Sequence, residues 1–177
     1  MSLSAEKIES FLRFCVPYLV ILLLFVLNMA SLSSSVTGAF EIPFLLSAVY
    51  YWSVYRPTLI PVWFVFVLGV VLDLMSGMPV GMSSFVLIFV RLIVTDQRLF
   101  LASQSFPAVW IGFVFVCVIA NAFQWLFFGL IEGQWTGPLP VLAVIGLGSC
   151  IYPFLSAVLY LSHKVLPGLS DHYGVVK

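Results

Sequence analysis

Residues 106–130 read FPAVWIGFVFVCVIANAFQWLFFGL and contain no charged side chain. An α-helix needs about 20 consecutive apolar residues, within a range of roughly 17–25, to cross the hydrocarbon core of a bilayer. This stretch reaches that length, and Arg98 and Glu132 are the nearest charges on either side of it. The stretch therefore predicts a transmembrane helix.

The chain as a whole has the same apolar character. Its 177 residues are 63% hydrophobic and 8% charged, against about 45–50% and 25% in typical soluble domains. A soluble domain of about 150 residues buries only about 68–70% of the surface of its chain, so it cannot hide this many apolar side chains. The composition therefore predicts an integral membrane protein whose single domain covers residues 1–177.

The uncharged windows between successive charges divide the chain into six segments. The predicted spans lie near residues 14–34, 40–55, 61–76, 82–96, 106–130 and 139–163. The second and third windows, between Glu41 and Arg56 and between Arg56 and Asp73, are short, and a re-entrant segment is the alternative for the second. Six spans place all seven Lys and Arg residues on the cytoplasmic side, as the positive-inside rule requires. We therefore predict an all-α bundle of six transmembrane helices in the cytoplasmic membrane, with both termini in the cytoplasm.

The turns between these segments carry their own signals. Arg56 and Pro57 mark a tight inner turn, because proline disfavours helical backbone at the residue before it. Gly77 is placed to end the third helix in a left-handed conformation. Ser83 or Ser84 can then cap the fourth helix.

Asp73 is the one acid that is embedded in an apolar helix end. Ionised groups at the centre of a bilayer cost about 2.5–3.5 kcal/mol on insertion scales, so acids inside spans are candidates for function. Asp73 lies close to the outer boundary, where this cost falls. We favour a structural role, in which it binds the turn at residues 77–81 or the start of the fourth helix, over a role in transport.

Three further polar side chains lie inside predicted spans. Arg91 is near the inner end of the fourth span, where its side chain either reaches the headgroups or pairs with Asp96. Asn121 and Gln124 are three residues apart and share one face of the fifth span. We favour hydrogen bonds to a neighbouring helix for these two amides, over the lining of a ligand cavity.

No pattern of catalytic or metal-binding residues is visible in the sequence. Cys15, Cys117 and Cys150 are an odd number in apolar segments, and His163 and His172 have no acidic partners at metal-ligand spacing. An intramembrane hydrolase would need two acids or a Ser/His pair at bilayer depth. Seven basic residues balance seven acidic ones, so there is no basic surface for nucleic acid. We expect a non-enzymatic protein with no metal and no cofactor.

Five motifs follow one another in a familiar order: YYWSVYRP at residues 50–57, GVVLD at 69–73, SGMPVG at 76–81, QR at 97–98 and QSFP at 104–107. Together they resemble the rod shape-determining protein MreD family over about residues 10–165. The fold of that family is similar to the substrate-binding subunits of energy-coupling-factor vitamin transporters.

The resemblance implies a part of the bacterial cell-elongation machinery in the inner membrane. The family supports rod shape and peptidoglycan synthesis as a scaffold and regulator. It acts with MreC and, through it, with the MreB filament, the RodA glycosyltransferase and a class 2 penicillin-binding transpeptidase. The positions that match the family motifs are expected to shape the fold or a contact surface; they are Tyr51, Arg56, Pro57, Asp73, Gly77, Pro79, Gly81, Arg98 and Pro107.

A vitamin-binding subunit of a membrane transporter is the alternative function. Such subunits typically carry an AxxxA pattern on the first span, where they dock their partner. Residues 14–34 contain no AxxxA, which counts against this alternative.

Overall fold

The structure, a computed structural model, describes residues 16–31, 43–133, 135 and 137–165. Over these residues the chain is all-helical, with seven α-helices and no strand. The helices are α1 (Val16–Ser31), α2 (Phe44–Tyr55), α3 (Val62–Ser76), α4 (Met82–Asp96), α5 (Arg98–Ala102), α6 (Phe106–Glu132) and α7 (Pro138–Val165).

Six of these helices occupy the six segments that the sequence predicts as spans. Two of them, α6 over Phe106–Ile131 and α7 over Pro138–Ser162, are long and apolar enough to cross a bilayer, while α1 and α3 are shorter apolar helices. The segment ends at 14–15, 32–34 and 40–42 lie outside the described residues, as do Lys7, Arg13, Cys15, Glu41, His172 and Lys177.

The short helix α5 is absent from the sequence prediction. It follows α4 directly, because Gln97 ends α4 and begins α5. Leu99 and Phe100 are exposed, whereas Leu101 packs against the core. Five residues are too few to show the periodicity by which an amphipathic helix is identified from sequence.

Helix α2 forms the centre of the bundle. Ten of its twelve residues are buried, and it packs against α4, α5, α6 and α7. A helix that is apolar on every side is expected to be surrounded by protein or lipid, and here the neighbours are other helices. Tyr50 and Trp52, each 0% exposed, supply much of the core.

The other long helices form an arc around α2. Helix α3 packs against α4, α4 against α6, and α6 against α7. Helix α1 lies beside α3, where the rings of Tyr18 and Phe64 meet edge to face with their centroids 5.5 Å apart. This arrangement brings the C-terminal end of α3 next to the N-terminal end of α4.

The predicted left-handed end of α3 is confirmed, and the predicted serine cap of α4 is wrong. Gly77 has φ 69°, and the N–H of Met78 donates to the carbonyl of Asp73 at 3.1 Å, as in a Schellman motif. The N-cap of α4 is Gly81, which has φ 100° and offers no side chain. Ser84 lies too far into the helix to cap it, and its hydroxyl donates to the carbonyl of Phe66 instead.

Candidate functional site

The carboxylate of Asp73 caps the neighbouring helix α4. Its Oδ2 accepts from the backbone N–H of Gly81 at 2.8 Å, and the N–H of Ser83 lies 3.0 Å from Oδ1 and 3.2 Å from Oδ2. The side chain is 0% exposed. A negative group at a helix N-terminus satisfies N–H groups that have no partner within the helix and interacts favourably with the helix dipole. These bonds are those of a structural acid.

The two helices approach most closely one turn before Asp73. A Cβ atom built on Gly69 would lie 2.4 Å from the Cα of Ser84 and 2.7 Å from its nitrogen. Only a residue without a side chain fits at this crossing, because the atoms it would meet belong to backbone. Gly69 and Asp73 therefore fix the α3–α4 pair together, the first by close contact and the second by hydrogen bonds.

Helix α2 is capped in the same way by a side chain from another helix. The Oδ1 of Asn28, in α1, accepts from the backbone N–H of Leu45 at 3.2 Å. The N-cap of α2 is Pro43, which offers no side-chain cap of its own. Asn28 is buried. The N-termini of α2 and α4 are therefore both capped by a buried polar side chain from another helix, Asn28 and Asp73 respectively.

A small polar cavity lies beside these two capped helix ends. Its volume is about 50 Å³. Helices α1, α2, α3, α4, α6 and α7 all contribute to its lining. The polar side chains among the described lining residues are Asn28, Ser83, Asn121 and Gln124, and none of these described residues is charged.

The two amides of α6 differ in their contacts: Gln124 approaches a neighbouring helix, as we favoured, whereas Asn121 bonds within its own helix. The Nδ2 of Asn121 donates to the carbonyl of Cys117, in its own helix, at 2.8 Å. The Nε2 of Gln124 approaches the Oγ of Ser83 at 3.5 Å, which is the outer limit of a hydrogen bond. Both amides also line the polar cavity.

At the opposite end of the bundle, Arg91 binds the turn between α2 and α3. Its Nε donates to the carbonyl of Ile60 at 2.6 Å, and its Nη2 to the carbonyl of Pro57 at 3.3 Å. Over the described part of the chain it makes no ion pair with Asp96. Arg56, also predicted as a site residue, is half-buried at the end of α2.

The remaining predicted site residues are scattered. Tyr51 is buried in the core, and its ring lies 4.7 Å from that of Tyr55. Pro79 accepts the N–H of Met82 at 3.2 Å in the α3–α4 turn. Arg98 and Pro107 are exposed near the starts of α5 and α6. The structure thus brings Asp73, Gly77, Pro79 and Gly81 into one turn, and leaves Arg98 and Pro107 outside it.

A hydrogen bond that sequence reasoning missed supports α7. Pro153 lies inside this helix and has no N–H, so the carbonyl of Ser149, four residues earlier, has no helical donor. The indole N–H of Trp110, in α6, donates to this carbonyl at 2.8 Å. An interior proline in a predicted span was the available signal, because it predicts an unpaired carbonyl that a neighbour must satisfy.

We expect the contribution of Trp110 to depend on Pro153. Trp110→Phe leaves the Ser149 carbonyl without its donor and should lower the free energy of unfolding by about 1–3 kcal/mol. In a Pro153→Ala background residue 153 has an N–H for that carbonyl, so the same change should cost at least about 1 kcal/mol less. Reversible unfolding of the four proteins measures this difference. Equal costs in the two backgrounds would contradict the pairing, since the lost ring volume is the same in both.

The described residues contain no group of three or more His, Cys, Asp or Glu side chains that could hold a metal ion. Cys117 is buried and Cys150 exposed, and neither forms a disulfide. No protein-family model, curated protein or solved structure matches this chain.

Proposed function

We propose that this chain is a six-span protein of the bacterial cytoplasmic membrane that acts as a non-catalytic scaffold and regulator of cell elongation. Its direct partner is MreC, and through MreC it acts with the MreB filament, RodA and a class 2 penicillin-binding transpeptidase in peptidoglycan synthesis. The proposal rests on the five motifs that resemble the MreD family, and on where their residues lie in the bundle.

The distribution of apolar surface supports a location in the membrane. The most apolar 18-residue windows of α6 and α7 are each only 22% buried, whereas a core helix of a soluble protein is mostly buried. Large apolar side chains such as Leu19, Trp63 and Phe154 are 62%, 67% and 77% exposed. Polar side chains such as Asn28 and Asp73 are inside instead. This distribution suits a hydrocarbon solvent.

The shortness of α2 is compatible with a bundle that spans the bilayer. Its twelve residues extend about 18 Å, less than the ~30 Å hydrocarbon core. A short helix that faced lipid would have to thin the bilayer around it. Because Leu45 to Val54 are all buried against protein, lipid meets little of α2 between its two terminal residues, and the longer helices set the thickness of the bundle.

The observation that carries the functional proposal is where the motif residues lie. Residues 69–73 and 76–81 build the α3–α4 turn through Gly69, Asp73 and Gly81. Residues 50–57 contain the second half of the central helix and begin the turn that Arg91 binds. Three of the five motifs therefore concern residues that determine the architecture, while Arg98 and Pro107, from the other two, are exposed. We infer a shared fold and, from it, a shared role as scaffold.

A vitamin-binding transporter subunit is the second candidate. Sites for small molecules usually have volumes of about 300–1,000 Å³. The cavity that contains the amides is about 50 Å³, which is too small for a vitamin. A second, mostly apolar cleft of about 570 Å³ beside Tyr51, Tyr55 and Tyr152 does reach that range, so cavity size does not separate the two candidates. The absence of AxxxA from residues 14–34 is what counts against the transporter.

The six-span topology predicts the side of the membrane on which each turn lies. Reporter fusions after Thr37, Met78 and Trp135 should report a periplasmic location. Fusions after Pro57 and Arg98 should report a cytoplasmic one. A periplasmic signal after Pro57 would contradict the six-span topology, because it would remove α2 from the set of spans.

The functional proposal is tested by identifying the proteins that bind this chain. The tagged full-length protein is purified gently from its native membranes, beside an equally tagged, unrelated membrane protein as control, and bound proteins are identified by mass spectrometry. We expect MreC to be enriched over the control. Enrichment of ATPase subunits and a second multispan protein, without MreC, would overturn the scaffold in favour of the transporter.

A further inference from the structure

We propose that the polar cavity is a binding site for a small cluster of water molecules, held inside the helix bundle by the side chains of Asn121, Gln124 and Ser83. The inference goes beyond the scaffold function and does not depend on the identity of the partners. The water molecules would form the hydrogen bonds that the side-chain amides of Asn121 and Gln124, in α6, do not make with protein.

The amides offer hydrogen-bonding atoms that the described residues do not use. The Nδ2 of Asn121 donates to the carbonyl of Cys117 at 2.8 Å and lies 3.5 Å from the Sγ of the same residue, while its Oδ1 makes no hydrogen bond within the described part of the chain. The Oε1 of Gln124 likewise has no partner there, and its Nε2 has only the 3.5 Å contact with Ser83. An amide without partners in an apolar interior costs about 1–3 kcal/mol in protein measurements, so these atoms require an occupant that both donates and accepts.

The size and charge of the cavity select water as that occupant. A buried water needs about 10–15 Å³ of free cavity volume and two to four polar partners. A cavity of about 50 Å³ therefore holds about three to five water molecules. Among the described residues of the lining none carries a charge, which favours a neutral occupant over an ion. Water is also the molecule that offers donors and acceptors in equal number to the two amides and the hydroxyl of Ser83.

The amides of Asn121 and Gln124 lie too deep in the bundle for bulk solvent to form hydrogen bonds with them. Gln124 and Asn121 precede the end of α6 at Glu132 by eight and eleven residues, which corresponds to about 12 Å and 16 Å along the helix. In a bundle that spans the membrane, this depth is well inside the hydrocarbon core. Water at such a site is therefore part of the structure and is not an extension of the surface hydration.

Water-edited solid-state NMR of the full chain in lipid bilayers tests the proposal. The probe is the transfer of polarisation from water protons to side-chain nitrogens. The chain supplies two references: the exposed amide of Gln97 and the indole nitrogen of Trp52, which is 0% exposed. We expect transfer to Gln124 and Asn121 at a rate close to that of Gln97 and several-fold faster than that of Trp52. Transfer to Gln124 as slow as to Trp52 would overturn the proposal.

A matched pair of variants tests the cavity itself. Ala120→Leu places a larger side chain in the lining and should slow the transfer to Gln124 to the rate of Trp52. Ala122→Leu, on the exposed side of the same helix, should leave it unchanged. Fast transfer that persists in a folded Ala120→Leu protein would contradict the assignment. Contacts from Gln124 to protons of a bound organic compound would overturn it in favour of a ligand, and the wild-type comparison decides the question if Ala120→Leu does not fold.

Discussion

Replacing Gly69 with alanine should lower the free energy of unfolding by about 3 kcal/mol, because overpacking of a close contact typically costs 1–3 kcal/mol and this contact is between backbones. The new Cβ would lie 2.4 Å from the Cα of Ser84, so the two helices must separate by about 1 Å to reach a normal carbon–carbon distance. That separation also lengthens the bond from the Ser84 hydroxyl to the Phe66 carbonyl, now 3.1 Å. Gly69→Leu should prevent the α3–α4 pair from forming.

Gly146→Ala is the matched control for this prediction. Gly146 is exposed in α7, and a Cβ there would have no neighbour within 4 Å. Alanine favours helix over glycine by about 1 kcal/mol, so the same substitution should be neutral or slightly stabilising. Reversible unfolding in mixed micelles compares the two proteins. An equal effect of both changes would show that helix propensity matters here and the close crossing does not.

The positions of the helices could be predicted from the sequence because their causes are local. Charges and prolines interrupt the apolar segments, and the lengths between interruptions determine where a helix begins and ends. The left-handed conformation of Gly77 also has a local cause, since it depends on the backbone freedom of one residue at the end of α3. The ends of α3 and α4 were therefore predicted to within one residue.

The central place of α2 could not be predicted in the same way. A segment that is apolar on all sides suits lipid and protein interior equally well, so its periodicity does not indicate which of the two surrounds it. The distinction depends on the packing of α4, α6 and α7 around it. Those contacts join residues that are far apart in the chain.

The caps of α2 and α4 also come from side chains of other helices. A serine near the start of α4 is an ordinary local cap, and on that basis Ser83 or Ser84 was predicted. In the structure the carboxylate of Asp73, in α3, accepts from the N–H groups of Gly81 and Ser83 instead. Asn28 does the same for α2. For Asp73 the sequence does indicate the helix end, because the short turn at residues 77–81 makes the start of α4 a predicted partner, and its carboxylate binds there. For Asn28 the sequence does not indicate which helix end it caps.

Asp73 should be the most sensitive polar residue in the bundle. Asp73→Leu removes the acceptor of the Gly81 and Ser83 N–H groups and buries both without partners. Hydrogen bonds to charged groups contribute about 1.5–3 kcal/mol each, and the relief from burying a carboxylate offsets part of their loss. We expect the free energy of unfolding to fall by about 3 kcal/mol for Asp73→Leu, and by about half as much for Asp73→Asn, which keeps one acceptor oxygen.

Asp96→Asn is the control, because Asp96 is exposed at the end of α4 and should change stability by less than about 0.5 kcal/mol. The Asp73 variants also separate a structural role from a contact role. If Asp73 acts through the fold, Asp73→Asn lowers the amount of protein in the membrane, while the amount of MreC recovered per molecule that remains is unchanged. Loss of MreC at normal stability would place Asp73 at the partner interface. Loss of a bound small molecule at normal stability would instead support transport, since the capping bonds alone give Asp73 no reason to affect a ligand.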